Sequence, residues 1–438
     1  MKVIRRASEL ITPSKQTPKG LKYLSDIDEQ LGLRFQIPVL QFYNNKSDKL
    51  IDPAKVLKEA IAEALVYYYP FAGRLREVGD DGKLAVDCTG EGVVFTEADA
   101  DFGVEEFGDV VQIPIHGWEE LVFDVSGSSG LLGTPLLLFQ VTRLRCGGFI
   151  VATRLNHSMS DAGGLAQFLT AVSEMARGAS VPSVLPVWRR ELLNARVPPR
   201  VTCAHHEFES IPATASIGNL ENKVLKSFIF GPDELSKLQK LLPPHLPRCT
   251  TFELLATVLW RSRTVAMNYN PSQEVQMICV VGARYKFNPP LPKGYYGNVL
   301  AHPAAKATAG SLTTNPISYT LKLIQKAKNS VTEEYMRSLA DYLVLNGRAR
   351  YTDTAFVVSD LTRVGLVDID YGWGKAVYGA PARIASSGMA TFFVPVDHKG
   401  EKGVGFSIYL PPSAMDVFVK EINGMLGWSA GATVTSKL

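Results

Sequence analysis

Apolar positions in this chain switch repeatedly between the short continuous runs of buried strands and the three- and four-residue spacing of helices. Phe149 to Leu155 is an apolar, β-rich run of strand length. From Leu165 to Met175 the positions Leu165, Phe168, Leu169, Val172 and Met175 fall at helical spacing. Between the two lies a polar hinge, with His157 and Asp161 four residues apart and Gly163 and Gly164 following. The pattern predicts a buried strand that presents an imidazole just before a helix begins, a common place for binding and chemistry.

The same patterning organises the rest of the chain. A strand is predicted over Phe35 to Phe42, then a helix with Asp52 as N-cap and Pro53 at its first position, running through Tyr68 with Leu57, Ile61, Ala64, Leu65 and Tyr68 on one face. Pro70 and Gly73 stop it, and short strands rich in Val and Leu follow. From Ser180 to Asn222 the periodicity is weak and prolines and charges accumulate, which marks a crossover between two domains. Thr250 and Glu253 form a capping box for a helix through about Met267. Met277 to Gly282 is the next strand, Asn315-Pro316 opens a helical segment reaching about Asn346 with interruptions, and Phe356 to Ser359 is another buried strand. Asp368 to Gly374 is too glycine-rich for regular structure, and the chain closes with a strand from Gly405 to Leu410 and a helix after Ser413 with Asp416 completing its cap. The expected class is mixed α/β, divided as residues 1–185, a linker over 186–222, and a second domain over 223–438.

Composition narrows the function classes. A chain of 438 residues suits two domains, each large enough to bury a core. The net charge of +3 is spread without a basic stripe, so nucleic acid is not an expected partner. The five cysteines, Cys88, Cys146, Cys203, Cys249 and Cys279, lie far apart and form neither a disulfide framework nor a C-x-x-C site, which fits a reducing compartment. The first residues lack the apolar core of a secretory signal, and no apolar run is long enough to span a membrane. Ser436-Lys437-Leu438, behind a small-residue tail, matches the peroxisomal import tripeptide, so the peroxisome and its import receptor are expected, with the cytosol otherwise.

The hinge histidine sets the candidate chemistry. An imidazole titrating near pH ~6.5 can take a proton from a hydroxyl and return it to a leaving group. Ser158 and Ser160 beside it are candidate nucleophiles, but no G-x-S-x-G elbow occurs. A metal site needs further ligands, only His205-His206 offers itself, and no metal is expected. On these residues alone, a histidine that merely satisfies hydrogen bonds at a strand end stays an open reading. Gly90-Glu91-Gly92 lacks the third glycine of a dinucleotide turn, and Gly374-Lys375 lacks the upstream glycine of a phosphate loop.

Two motifs carry a resemblance. His157-Ser158-Met159-Ser160-Asp161 matches the HxxxD motif, and Asp370-Tyr371-Gly372-Trp373-Gly374 resembles the DFGWG motif, of the plant BAHD acyl-CoA-dependent acyltransferases. The likeness extends over LSDID, YYYPFAGRLRE, CTGEGVVFTEA, LPVWRRELL, TTFELLATVLWRSRT and LPKGYYGN, nearly the whole chain, and ELITPSKQTP, TCAHHEFE and SDLTRVGL look most like the alcohol acyltransferase branch. Tyr371 departs from the usual Phe and adds a hydroxyl that needs a partner.

The resemblance implies two chloramphenicol-acetyltransferase-like domains with a channel at their interface. Acyl-CoA would enter from one face and the alcohol from the other, meeting at His157 as general base in a ternary complex. Acyl-CoA is then a co-substrate and no cofactor is expected. Asp161 is implied to face away from substrate and pair with Arg284, while Asp370, Gly372, Trp373 and Gly374 are implied to form a structural loop supporting the CoA channel. Thr362 is a candidate acyl or oxyanion contact, with backbone N–H groups as the other candidates. With the peroxisomal address, the branch resemblance points to benzoyl transfer from benzoyl-CoA to benzyl alcohol by a monomer. The alternatives are a broader ester-forming enzyme using acetyl-CoA or medium-chain acyl-CoA, and a non-catalytic acyl-CoA-binding relative.

Overall fold

The computed structural model describes residues 1–44, 51–80, 82–108, 113–123, 130–209, 223–244, 249–350, 355–384, 389–398 and 400–428. Two large mixed sheets form the framework. The first runs Val3–Arg5, Val93–Ala100, Leu137–Arg143, Phe149–Asn156, Gln36–Tyr43 and Tyr378–Pro381, with Glu9–Ile11 also paired to Val93–Ala100. The second runs Val224–Phe230, Glu401–Leu410, Ala390–His398, Phe356–Asp360, Glu274–Gly282 and Leu300–Ala301, with Ala304–Thr308 also on Glu274–Gly282. Each contains parallel and antiparallel neighbours, as a mixed α/β reading requires.

Helices cover one face of each sheet. Pro53–Tyr67 and Ala162–Ala176 bury Ile61, Leu65, Phe168 and Leu169 against Phe139 and Val151 of the first sheet. Asp52 caps the former, its carboxylate accepting the Ala54 N–H at 3.1 Å, so the predicted helix start holds. Thr251–Ala266 and Pro412–Leu426 back the second sheet, with Leu259, Trp260 and Phe418 packed on Met277 and Phe406. The Thr250–Glu253 capping box is present, closed by bonds of 3.2 and 2.9 Å. The helical segment expected to reach Asn346 is two helices, Ile317–Asn329 and Glu333–Leu345, the second capped by Thr332. The final helix starts earlier than predicted: it begins at Pro412 with no side-chain cap, so Ser413 and Asp416 lie inside its first turns. Pro412 supplies the helical φ at the first position and has no N–H to be capped.

The sheets meet across their other faces. Leu40, Phe42, Ile150 and Ala152 of the first sheet share a cluster with Ile384 and Val394, and Phe392, Val396 and Tyr409 of the second sheet pack against it. Tyr378–Pro381, from the second half of the sequence, is the edge strand of the first sheet, with Tyr378 opposite Phe42 and Pro381 opposite Val39. The expected division at residue 223 assigns this segment to the second domain, whereas its hydrogen bonds and packing lie with the first. The crossover packs between the halves, with Val187 bridged to Tyr295. Among the described residues, no helix is long and apolar enough to cross a membrane.

Candidate active site

The strand Phe149–Asn156 lies between Leu137–Arg143 and Gln36–Tyr43, and this fixes where His157 emerges. The His157 N–H donates to the Phe35 carbonyl at 2.9 Å, and Met159 N–H closes a turn onto Asn156 at 3.0 Å. The imidazole then lines a cavity of about 1450 Å³ between the two sheets. Much of the wall is apolar, with Ile37, Leu155, Val280, Leu300 and Met389 contributed by both halves. Nδ1 of His157 is buried without a hydrogen-bond partner, which leaves Nε2 as the ring nitrogen for the cavity. Burial lowers the His157 pKa from its ordinary value, against the opposing charge of Asp161, so the ring is neutral and able to accept a proton at neutral pH.

Asp161 occupies the place expected of it. Its two carboxylate oxygens accept from both terminal nitrogens of Arg284, at 2.7 and 2.8 Å, and from the backbone N–H groups of Gly164 at 3.0 Å and Val299 at 3.1 Å. Burial by itself would raise the carboxyl pKa, but Arg284 and the two N–H donors hold it below the usual carboxylate range. Arg284 also donates to the Gly297 carbonyl at 2.6 Å, so one ion pair ties the hinge to the second half. Gly164 is required here, because a Cβ would overlap the Tyr296 carbonyl oxygen.

A second anchor was not assigned from sequence. Asp28 and Arg190, 0% and 1% exposed in their side chains, form an ion pair at 2.8 Å. Arg190 also donates to the Met159 carbonyl at 2.8 Å. Asn298 donates through Nδ2 to Asp28 at 2.8 Å and to the His157 carbonyl at 2.9 Å. The backbone of the hinge is thus gripped by residues from the first segment, the crossover and the second half. Asp28, Arg190 and Asn298 lie in LSDID, LPVWRRELL and LPKGYYGN, so their neighbourhoods carried a signal but their roles did not. His302 carried no signal at all; it follows the Leu300–Ala301 strand, is 5% exposed and lines the cavity. Burial and the neighbouring His157 push its pKa down to about 4.

The glycine-rich loop sits elsewhere. None of Asp370, Tyr371, Gly372, Trp373 and Gly374 lines the cavity. Asp370 Oδ1 accepts from Gly372 N–H at 2.7 Å and Gly374 N–H at 2.9 Å, closing a turn in which both glycines have positive φ. Tyr371 is buried and its hydroxyl donates to Gln41 at 3.0 Å, the partner the extra oxygen needs. Trp373 meets Phe149 edge-on at 5.2 Å between ring centroids. The loop therefore fastens the second-half segment to the first sheet, and its flanks, including Val364, Leu366 and Arg383, reach the cavity. Thr362 does not line the cavity either: its hydroxyl donates to Asp360 at 2.6 Å.

The remaining candidates are accounted for by local bonding. Ser160 donates to the Tyr296 carbonyl at 2.6 Å and Ser158 to the Leu33 carbonyl at 3.4 Å, so neither hydroxyl is directed at His157. His205 is buried between Glu207 at 3.1 Å and Ser338 at 2.9 Å, while His206 pairs with Glu209 on the surface. Among the described residues no cluster of three or more His, Cys, Asp or Glu side chains gathers as a metal site.

The Transferase family model matches residues 1–425. The chain is 58% identical over 431 residues to benzyl alcohol O-benzoyltransferase of Nicotiana tabacum, spanning 97% of this chain and 94% of that protein. It is 57% identical, with the same coverage, to the Petunia hybrida enzyme of that name. It is 50% identical to alcohol acyl transferase 1 allele GSa of Malus domestica over 96% of this chain and 93% of that protein. Among solved structures, vinorine synthase shares the fold at a TM-score of 0.73 and 23% identity, covering 97% of this chain and 98% of that one. F. sporotrichioides TRI101, complexed with coenzyme A and T-2, does so at 0.72 and 17%, covering 91% and 96%.

Proposed function

This chain belongs to the plant BAHD acyltransferase family and is an acyl-CoA-dependent alcohol O-acyltransferase, and we propose that it transfers the benzoyl group of benzoyl-CoA to benzyl alcohol. The observation that carries the mechanism is the neutral imidazole of His157 opening on a cavity shared by both halves, with both neighbouring serine hydroxyls turned to backbone carbonyls. Nε2 takes the proton of the alcohol as its oxygen attacks the thioester carbonyl. The C–O bond forms, the C–S bond breaks, and the imidazolium returns the proton to the departing sulfur. Benzyl benzoate and free CoA leave, and no acyl-enzyme intervenes. Asp161, Arg284, Asp28, Arg190 and Asn298 hold the hinge that aims the imidazole.

The cavity suits two substrates at once. Its volume of about 1450 Å³ exceeds the ~300–1,000 Å³ of a typical single-ligand site. Its lining includes the cations Arg34, Arg284, Lys293, Arg350, Arg363 and Arg383 against the acids Asp161 and Asp360. Asp161 engages Arg284 and Glu77 pairs with Arg34, and the net positive charge of the lining favours the phosphates of CoA.

The test follows free thiol release from benzoyl-CoA with and without benzyl alcohol, identifying the product by mass spectrometry. Alcohol-dependent release with benzyl benzoate formed is expected. Release without alcohol means thioester hydrolysis and rejects the ternary mechanism. A broader specificity is the second reading, favoured by the cavity's size and by the 50% identity to an apple alcohol acyl transferase; turnover of acetyl-CoA with an aliphatic alcohol, and none of the benzoyl pair, would establish it in place of the first.

The peroxisome is the proposed location, supported by Ser436-Lys437-Leu438, which lies outside the described residues. An amino-terminal fluorescent fusion should become diffuse when the tripeptide is deleted. A distribution unchanged by that deletion rejects the address.

A further inference from the structure

Phe35 is a large apolar residue left half bare inside the cavity. It lines the wall beside His157 and yet is 48% exposed. Its ring centroid lies 5.2 Å from the imidazole, with the planes tilted by 47°. Among the described residues it is the aromatic ring in contact with His157; Tyr285, Tyr295 and Phe392 also line the cavity without such a contact.

The backbone ties Phe35 to the base. Its carbonyl accepts the His157 N–H at 2.9 Å, and its own N–H donates to Leu33 at 2.9 Å. Leu33 in turn accepts the Ser158 hydroxyl at 3.4 Å. Gln36, the next residue, pairs with Asn156 in the sheet register. Phe35 and His157 each stand one residue outside the paired ends of two neighbouring strands, Gln36–Tyr43 and Phe149–Asn156, so the sheet holds their backbones side by side.

Aromatic rings prefer centroid separations of ~4.5–7 Å in offset or edge-on contact. A substrate ring packed on Phe35 at such a distance stands next to His157. In a benzyl alcohol one methylene separates ring and hydroxyl; in a benzoyl thioester the carbonyl carbon is attached to the ring directly. Either arm is short, so placing the ring places the reacting atom. A flexible alkyl chain covers the same apolar surface without that orientation.

We propose that Phe35 determines specificity for an aromatic substrate, its ring acting as the platform that orients a benzyl or benzoyl group against His157. This rests on the benzoyl-transfer reading above. Leucine at this position keeps apolar volume and the backbone bond to His157 while removing the π face, so Phe35→Leu isolates the ring. Phe35→Tyr restores it.

The experiment measures kcat/KM for the four combinations of benzoyl-CoA or acetyl-CoA with benzyl alcohol or 1-hexanol, and the pH profile of each variant. Phe35→Leu should lower the aromatic-to-aliphatic ratio about three- to tenfold, and Phe35→Tyr should return it to within about twofold of the parent. A fall that follows the alcohol assigns the platform to the acceptor; one that follows the thioester assigns it to the donor. Equal losses in all four combinations with a displaced pH profile show that Phe35 acts only on the imidazole and overturn the proposal, as does an unchanged ratio. A parent that turns over no aromatic substrate overturns the benzoyl-transfer reading itself, and the platform with it.

Discussion

The side-chain amide of Asn298 donates a hydrogen bond of 2.9 Å to the backbone carbonyl of His157, across the junction of the two halves. The same nitrogen reaches Asp28 at 2.8 Å, and Asp28 holds Arg190. Asn298→Ala removes both bonds; Asp28 keeps the backbone N–H of residue 298 at 2.9 Å, while the His157 carbonyl loses its donor. A stability loss of roughly 1–3 kcal/mol is expected, together with a larger fall in kcat than in substrate affinity. Thermal unfolding and steady-state kinetics read the two effects, and a variant with parental kcat refutes the positioning role.

Asp161→Asn puts a neutral amide opposite Arg284, replacing a two-pronged ion pair. Breaking a buried pair by removing one partner costs about 3–5 kcal/mol, and the partial exposure of Arg284 places this case toward the lower end. Denaturant unfolding of the two single variants and of Asp161→Asn combined with Arg284→Met forms a double-mutant cycle. A coupling energy near zero would show that the pair does not hold the hinge.

Activity should persist into mildly acid solution. His157 must be neutral to act as a base, and burial lowers its folded pKa. The acid limb of kcat/KM is therefore expected to have its midpoint below the ~6.5 of a free imidazole. His157→Ala should reduce turnover about 10²- to 10⁴-fold and abolish that limb. A midpoint above 6.5, or a variant within a few-fold of the parent, contradicts the assignment.

His302 makes stability pH-dependent with a definite sign. Its pKa is depressed from 6.5 to about 4 on folding, so the unfolded chain binds the proton first. Its contribution is complete above pH 6.5 and is lost as pH falls toward 4, by about 3 kcal/mol. Unfolding free energy measured against pH should therefore decline less steeply over that interval in His302→Gln than in the parent.

Tyr371→Phe removes a hydroxyl bonded to Gln41 at 3.0 Å in a loop that does not line the cavity. A loss of about 1 kcal/mol in stability and unchanged kcat are expected. A substantial fall in kcat with intact stability would give the loop a direct part in the reaction.

The elements that the sequence revealed are those whose cause is local. The apolar run ending at Leu155, the polar residues and glycines from His157 to Gly164 and the helical spacing from Leu165 placed His157 at a strand-to-helix hinge, where it stands. The Asp52–Pro53 start and the Thr250–Glu253 box marked helix beginnings because each uses residues within one turn. The last helix differed because Pro412 sets φ covalently and begins it before any polar cap. The motif around Asp161 led to Arg284 through resemblance, and the pair is formed.

Sequence by itself determined the class of fold, the hinge and the residue that can act as a base, since periodicity, capping and an imidazole's acidity are properties of neighbouring residues. Only the tertiary structure decided that Tyr378–Pro381 belongs to the first sheet, that Thr362 turns to Asp360 and that the glycine loop lies off the cavity. It alone joined Asp28, Arg190 and Asn298 beneath the hinge and set His302 and Phe35 beside the base. These contacts link residues distant along the chain, and local periodicity does not encode which strands pair or which faces close on each other.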